Sequence, residues 1–246
     1  MSESRSSARL HQGRIGRVFP VLLALGFGLP APSLAVDGVI EINQAKALAG
    51  SVTTGDFVNF PVSLTQPGSY RLTSDLSVPS AFDGIQITAD NVSLDLNGFN
   101  VIGGGGSAAD GISLVGQKNI EIKNGTIRGF SRHGVFANAV AQLIWVIGVR
   151  SVGNGFSGFE LEGVGHLVDG CTAASNGTLG IFVGDGSLVI NSVSRGNVNL
   201  GLVLSATAGY RSNVLTGNNG GDANAQATGI GLQLGSNVCG SDLVCP

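Results

Sequence analysis

Asn154-Gly-Phe-Ser-Gly-Phe-Glu-Leu161, Asn176-Gly-Thr-Leu-Gly-Ile-Phe-Val183 and Asn197-Val-Asn-Leu-Gly-Leu-Val-Leu204 are one pattern written three times. In each, an Asn stands four residues before a Gly, and the Gly opens an apolar-x-apolar triplet. The triplet recurs seven times, after Gly84, Gly111, Gly134, Gly158, Gly180, Gly201 and Gly231, with intervals of 27, 23, 24, 22, 21 and 30 residues. Asn218 continues the Asn series. Self-similarity at a period above 20 residues marks a repeat architecture and outranks any local secondary-structure signal.

Each triplet alternates with period two, as a short strand does. Its first apolar positions form one column, Ile85, Ile112, Val135, Phe159, Ile181, Leu202 and Leu232. Its third positions form another, Ile87, Leu114, Ala137, Leu161, Val183, Leu204 and Leu234. A single repeat cannot bury such a face, whereas coils stacked about 4.8 Å apart make each column continuous. An interval of 21–24 residues accommodates three short strands and three turns. The recurring Asn predicts a ladder of side-chain amides along the stack. A leucine-rich repeat shares the period but needs a Leu-x-x-Leu-x-Leu framework and a helical return, and neither is present. The pattern predicts an all-β parallel β-helix of about seven coils.

Solenoid ends expose core and strand edges, so caps are expected. Residues 41–50 read as a short N-terminal capping helix ending at Gly50, with Ile42 and Ala45 on one side. Residues 36–82 are read as this cap and the first strands, 83–235 as repeats, and 236–246 as a C-terminal cap. Residues 1–35 read as a secretory signal peptide. Arg5, Arg9, Arg14 and Arg17 precede an apolar run from Val18 to Leu29, and Ser33-Leu34-Ala35 offers a cleavage site. The run is too short to span a bilayer. The mature chain is therefore expected to be secreted or periplasmic, with no membrane span. Loss of four Arg and one Glu takes the formal charge from −3 to −6. In an oxidising compartment Cys239 and Cys245 could close a clip, leaving Cys171 as a buried structural thiol.

Composition bounds the function. Gly is 40 of 246 residues, but Pro is only 7 and the apolar fraction is 43%, so the chain can bury a core rather than stay disordered. The acidic balance excludes a nucleic-acid binder, and a monomer is the default expectation.

Pro67-Gly-Ser-Tyr-Arg-Leu-Thr-Ser-Asp-Leu76, Asp83-Gly-Ile-Gln-Ile-Thr-Ala-Asp-Asn-Val-Ser-Leu-Asp-Leu-Asn-Gly-Phe99 and Asn124-Gly-Thr-Ile-Arg-Gly-Phe130 resemble the right-handed parallel β-helix proteins of the pectin-lyase-like superfamily. The resemblance is nearest to its secreted bacterial members of unsettled function, and it implies a right-handed solenoid from Ile42 to Cys245. Superfamily members include lyases, glycosidases, epimerases, carbohydrate binders and adhesins, so activity must be argued from a site. The Asn-Thr-Asp, Asp-Asp, Gly-His-Gly and Arg-Ile-Lys signatures of the pectin-hydrolysing glycosidases are absent, as is the Asp-Pro-His-Glu of alginate epimerases. The nearest fragments are Arg132-His133-Gly134 and Glu121-Ile122-Lys123.

Three groups of residues carry chemistry. Lys123, Arg128 and Arg150 lie in a basic run, and Arg128 and Arg150 are expected to share an outward column. A uronate lyase needs a cation at the carboxylate and a base at C5, which makes these three the catalytic candidates. Phe136, Glu160 and Phe182 share the outward position of successive triplets and form the substrate-binding candidate, with two aromatic rings about 10 Å apart for stacking on sugars. Cover by the loop at 57–67 or by the insertion at 217–230 is the equal alternative. Glu160, Glu162 and Asp185 offer carboxylates for an inverting glycosidase pair or a calcium site; no metal ligand set is assigned, and calcium is the one cofactor the residues suggest. Trp145 is expected to point outward. His133 and His166 have no acid or serine partner evident in the sequence.

Together these features predict contact with an extended polysaccharide, through a lyase-like or glycosidase-like enzyme or through a non-catalytic carbohydrate-binding module. A structural or adhesive surface protein without a sugar site is the third class.

Overall fold

The computed structural model describes residues 38–241 and 245, and these form a parallel β-helix of eight coils. One strand from each coil, Val62–Leu64, Ile85–Ile87, Ile112–Leu114, Val135–Ala137, Phe159–Leu161, Ile181–Val183, Leu202–Leu204 and Ala227–Gly229, pairs in parallel with the next to make an eight-stranded sheet, the first face. The remaining strands form a fifteen-stranded sheet that supplies a second and a third face. In two coils the second and third faces are halves of one strand, Lys118–Arg128 and Gln142–Val152.

A single left-handed residue turns the chain from second to third face. Asn97, Asn124, Gly148, Gly170, Asn191 and Ser212 occupy this bend at φ 51–62°. Asn and Gly are the residues that enter this region at little cost. The turn between first and second faces uses the same device at Asn91, Asn119, Leu143, Gly165 and Gly186. Leu143 is the exception, an exposed, γ-branched side chain held at φ 55°.

Inside the solenoid the predicted columns are continuous. Ile85, Ile112, Val135, Phe159, Ile181 and Leu202 are each fully buried. The Gly before each triplet is required sterically. A Cβ on Gly134 would lie 1.9 Å from Ser151 Oγ, and one on Gly180 would lie 1.9 Å from Ser194 Oγ. The seventh triplet departs from expectation. Leu232 pairs with Gly209 on the second face and is exposed, while Ala227 is the final inward rung beside Leu202. Extra residues after Asn218 delay the last first-face strand, so the Gly231 triplet falls one strand later in the coil. The stack also begins before Gly84, since Val62 pairs with Ile85.

The Asn ladder forms as expected and is buried throughout. Asn154 donates its backbone N–H (3.0 Å) and its Nδ2 (3.1 Å) to Asn176 Oδ1. Asn176 does the same to Asn197, and Asn197 to Asn218. Gln226 closes the series, accepting from Asn218 N and Nδ2 at 2.9 and 3.0 Å. A second ladder lines the bend from second to third face, where Cys171 N donates to Ser192 Oγ, Ser192 N to Asn213 Oδ1, and Asn213 to Asn237 Oδ1. Every rung satisfies an amide that would otherwise be buried unpaired, at a cost of about 1–3 kcal/mol.

The cap helix is shorter than expected. Ile40–Ile42 is a strand paired with Tyr70–Leu72, and the helix runs Gln44–Ala49 between an Asn43 N-cap and Gly50. Asn43 Oδ1 accepts from Lys46 N and so sets the start, turning Ala47 rather than Ala45 inward. At the other end a disulfide joins Cys239 and Cys245, both buried. Cys171 is buried, and desolvation pushes its thiol up to about 12.

Asn176→Ala should lower the unfolding free energy by about 3 kcal/mol, because it leaves buried donors on Asn154 unpaired. The exposed Asn199→Ala should stay within about 0.5 kcal/mol; urea denaturation compares the two. In the same assay Leu143→Asn should stabilise by about 1 kcal/mol through relief of left-handed strain.

Candidate functional site

On the first face the outward positions run Gln86, Ser113, Phe136, Glu160, Phe182 and Val203, each in register with the next. The three binding candidates, Phe136, Glu160 and Phe182, are thus adjacent. Glu160 lies between the two phenylalanines, and all three are half-buried. The side-chain hydrogen bonds of residues 51–65 stay within that segment, and those of 217–226 stay within the last coils. Neither segment is hydrogen-bonded to Phe136, Glu160 or Phe182.

What borders the row is a ladder that sequence reading missed, formed by the residues just before each Gly. Asp83 Oδ1 accepts from Asp110 N (2.8 Å), Asp110 Oδ1 from His133 N (2.9 Å), and His133 Nδ1 from Ser157 N (3.3 Å). Ser113 Oγ donates to Asp83 Oδ2. Arg132, one residue outward, pairs with Asp110 Oδ2 at 3.2 Å and lies 5.4 Å from the centre of the Phe136 ring. His133 stacks on Phe136 at 5.4 Å and tilts against Phe156 at 5.5 Å, with Nδ1 4.0 Å from Glu160 Oε2. His133 therefore has both a serine and an acid neighbour. The spacing that could have revealed this is its position before Gly134, shared with Asp83, Asp110 and Ser157.

Burial sets the charges here. It holds His133 down at about 4, helped by Arg132, so the imidazole is neutral and its Nδ1 is free to accept. Burial pushes Asp110 up to about 6 against the opposing pull of the His133 amide and Arg132. Burial also raises Glu160, with Glu162 adding to the effect and the Ser157 hydroxyl working against it. Within the row Glu160 is the carboxyl not tied into a ladder. It takes up a proton more readily than an ordinary glutamate, and so can either donate or accept a hydrogen bond.

The three catalytic candidates do not gather. Lys123 is on the second face, in an ion pair with Glu121 Oε2 at 2.5 Å that Ser93 Oγ joins at 2.7 Å. Trp145 is in register with Glu121, half-exposed, and walls a groove of about 350 Å³ lined by Ser69, Ser93, Asn119 and Glu121. Arg128 and Arg150 are exposed on the third face but do not share a column. The two coils are offset by 24 residues, Lys118 against Gln142, so Arg128 pairs with Val152 and Arg150 with Thr126. Glu162 lies just beyond its strand, exposed. Among the described residues no group of three or more His, Cys, Asp or Glu is placed to hold a metal ion.

No protein-family model matches the chain, and no curated protein matches it. A solved structure to which it is similar is the A-module of the mannuronan C-5 epimerase AlgE4 from Azotobacter vinelandii, at 12% identity and a TM-score of 0.38, over 78% of this chain and 70% of that one.

Asp110 and the histidines titrate against each other. With a folded pKa of about 6 against an ordinary 3.8, Asp110 contributes stability at low pH that is lost as pH rises from about 4 to 6. His133 and His166, both near 4 when folded, contribute stability above pH 6.5 that is lost as pH falls towards 4. Asp110→Asn removes the first effect alone. Its urea midpoint should therefore fall more steeply than the parent's between pH 6.5 and 4; parallel curves would contradict the assignment.

Proposed function

We propose that the chain is a carbohydrate-contacting β-helix that holds an extended, carboxylate-bearing polysaccharide along its first face. The observation that carries this reading is the unbroken row Phe136, Glu160 and Phe182, one residue per coil, with the Arg132 guanidinium beside it. Rings on alternate coils, about 10 Å apart, suit stacking against sugar units of a chain running parallel to the solenoid axis. Arg132 keeps N–H donors beyond the one that Asp110 occupies, and these suit a uronate carboxylate. Glu160, protonated more readily than an ordinary glutamate, can donate to the same polymer without repelling it.

Binding is preferred over β-elimination because Lys123, Arg128 and Arg150 stand apart, and Lys123 is committed to Glu121. We further propose that the protein is exported, with residues 1–35 as the leader. That segment lies outside the described residues. The Cys239–Cys245 disulfide suits an oxidising compartment, and among the described residues no helix is long and apolar enough to cross a membrane.

Calorimetric titration with soluble uronate polymers and neutral polymers of similar length tests this reading. The uronate polymer should bind more tightly, and Phe182→Ala should weaken it by about tenfold, near 1.4 kcal/mol. Affinity should rise as pH falls, and Glu160→Gln should reduce that dependence. Equal affinities for Phe182→Ala and parent would defeat the reading. Shortening of the polymer would instead assign Glu160 to proton transfer.

A further inference from the structure

The second face changes character along the solenoid. Its outward positions in the first three coils are Ser69, Arg71, Ser93, Asp95, Glu121 and Lys123. From the fourth coil onward they become Trp145 and Ile147, then Leu167, Leu188 and Ile190, and finally Leu232 and Leu234. Trp145 is 49% exposed, Leu232 60% and Leu234 56%. Leu188 and Leu234 converge over Gly209, where an added Cβ would meet both, so the apolar surface has no gap there. An apolar sheet face five coils long is the kind of surface that proteins keep for a partner.

Two charges interrupt it, and their placement identifies the partner. Asp169 and Arg211 share one column, on either side of Ile190. Two coils apart, roughly 10 Å, they are too distant to pair with each other. Among the described residues neither enters a salt bridge, and the Asp169 carboxylate accepts only from Asn191 Nδ2 at 2.9 Å. Covering this face with an apolar surface would strand both charges at a cost of several kcal/mol per ion. A partner must therefore present a cation opposite Asp169 and an anion opposite Arg211.

We propose that the partner is a second copy of this chain, packed face to face with its solenoid axis antiparallel. A two-fold axis lying between the faces and along Leu188–Ile190 reverses the order of coils but keeps each position along the strand. It sets Asp169 against the partner's Arg211, and Arg211 against the partner's Asp169. It also lays Trp145 and Ile147 over the last coil of the other copy, where the apolar surface ends. Such an interface is isologous and closes at two subunits. Sheets stacked this way lie about 10 Å apart. A lipid surface meets the apolar residues but leaves both charges unpaired.

Sedimentation velocity on the purified protein, without saccharide and across the micromolar range, tests the proposal. A concentration-dependent dimer is expected. Ile190→Arg should leave only monomer, and Asp169→Arg should weaken association by at least tenfold. The double variant Asp169→Arg/Arg211→Asp should recover it, because the pair is merely reversed. Circular dichroism melts establish that each variant is folded. A monomer at every concentration overturns the proposal, as does a dimer indifferent to Ile190→Arg or a double variant no better than the single. Binding to phosphatidylcholine vesicles by the folded monomer would give the face to lipid and also overturn it.

Discussion

A buried amide has to find its partner one coil away, and this constraint holds the molecule in register. Asn176, Asn197 and Asn218 each use one side-chain oxygen to accept two donors from the preceding coil, and Asn154 accepts one, from Phe130 N. A slip of one residue would turn a side chain from the core to the surface and leave a buried amide without its acceptor. Apolar columns alone are more tolerant, since Ile, Leu and Val can trade places with little penalty. The hydrophobic columns supply most of the driving force, and the ladders determine which residue lies above which.

That division bears directly on function. Because each coil is locked to the next, three residues separated by 22–24 positions in sequence become immediate neighbours, and Phe136, Glu160 and Phe182 form a row no local motif would show. The ladder beside the row uses the same bonding scheme in reverse, with different groups. Asp83, Asp110 and His133 accept the backbone N–H of the next coil, whereas the asparagines accept that of the preceding one. They also bring titratable groups and an arginine to the edge of an aromatic surface. Structural necessity and candidate chemistry share the same atoms there, which is why burial, rather than a nearby opposite charge, dominates the shifts of Asp110, His133 and Glu160.

The fold was legible because steric need and periodicity coincide in the glycines. Six of the seven marked triplets lie where the repeat places them, and the seventh strays where the interval lengthens to 30. The row of Phe136, Glu160 and Phe182 was legible for the same reason, being counted from those glycines. The pairing of Arg128 with Arg150 was not, because it depends on the offset between two particular coils, and a change of two residues there moves a side chain along the strand. His133 was hidden differently. Its partners are one coil away in sequence and chemically unlike each other, so no spacing of similar residues announced them. The apolar second face was visible only at Trp145, since the other residues resemble ordinary core positions until the structure shows which way they point.

Three faces thus carry three kinds of surface on one scaffold: an aromatic and acidic row on the first, a split polar and apolar sheet on the second, and exposed cations on the third. The claim that joins them is that stacking order along the solenoid creates the row proposed to hold the ligand on the first face. The most direct measurement is residue-resolved NMR of the isotope-labelled protein with a short uronate oligosaccharide. The account predicts shift changes along Phe136, Glu160, Phe182 and Arg132, with the second and third faces unmoved. Changes centred on Trp145 and Glu121, or on Arg128 and Arg150, would contradict it.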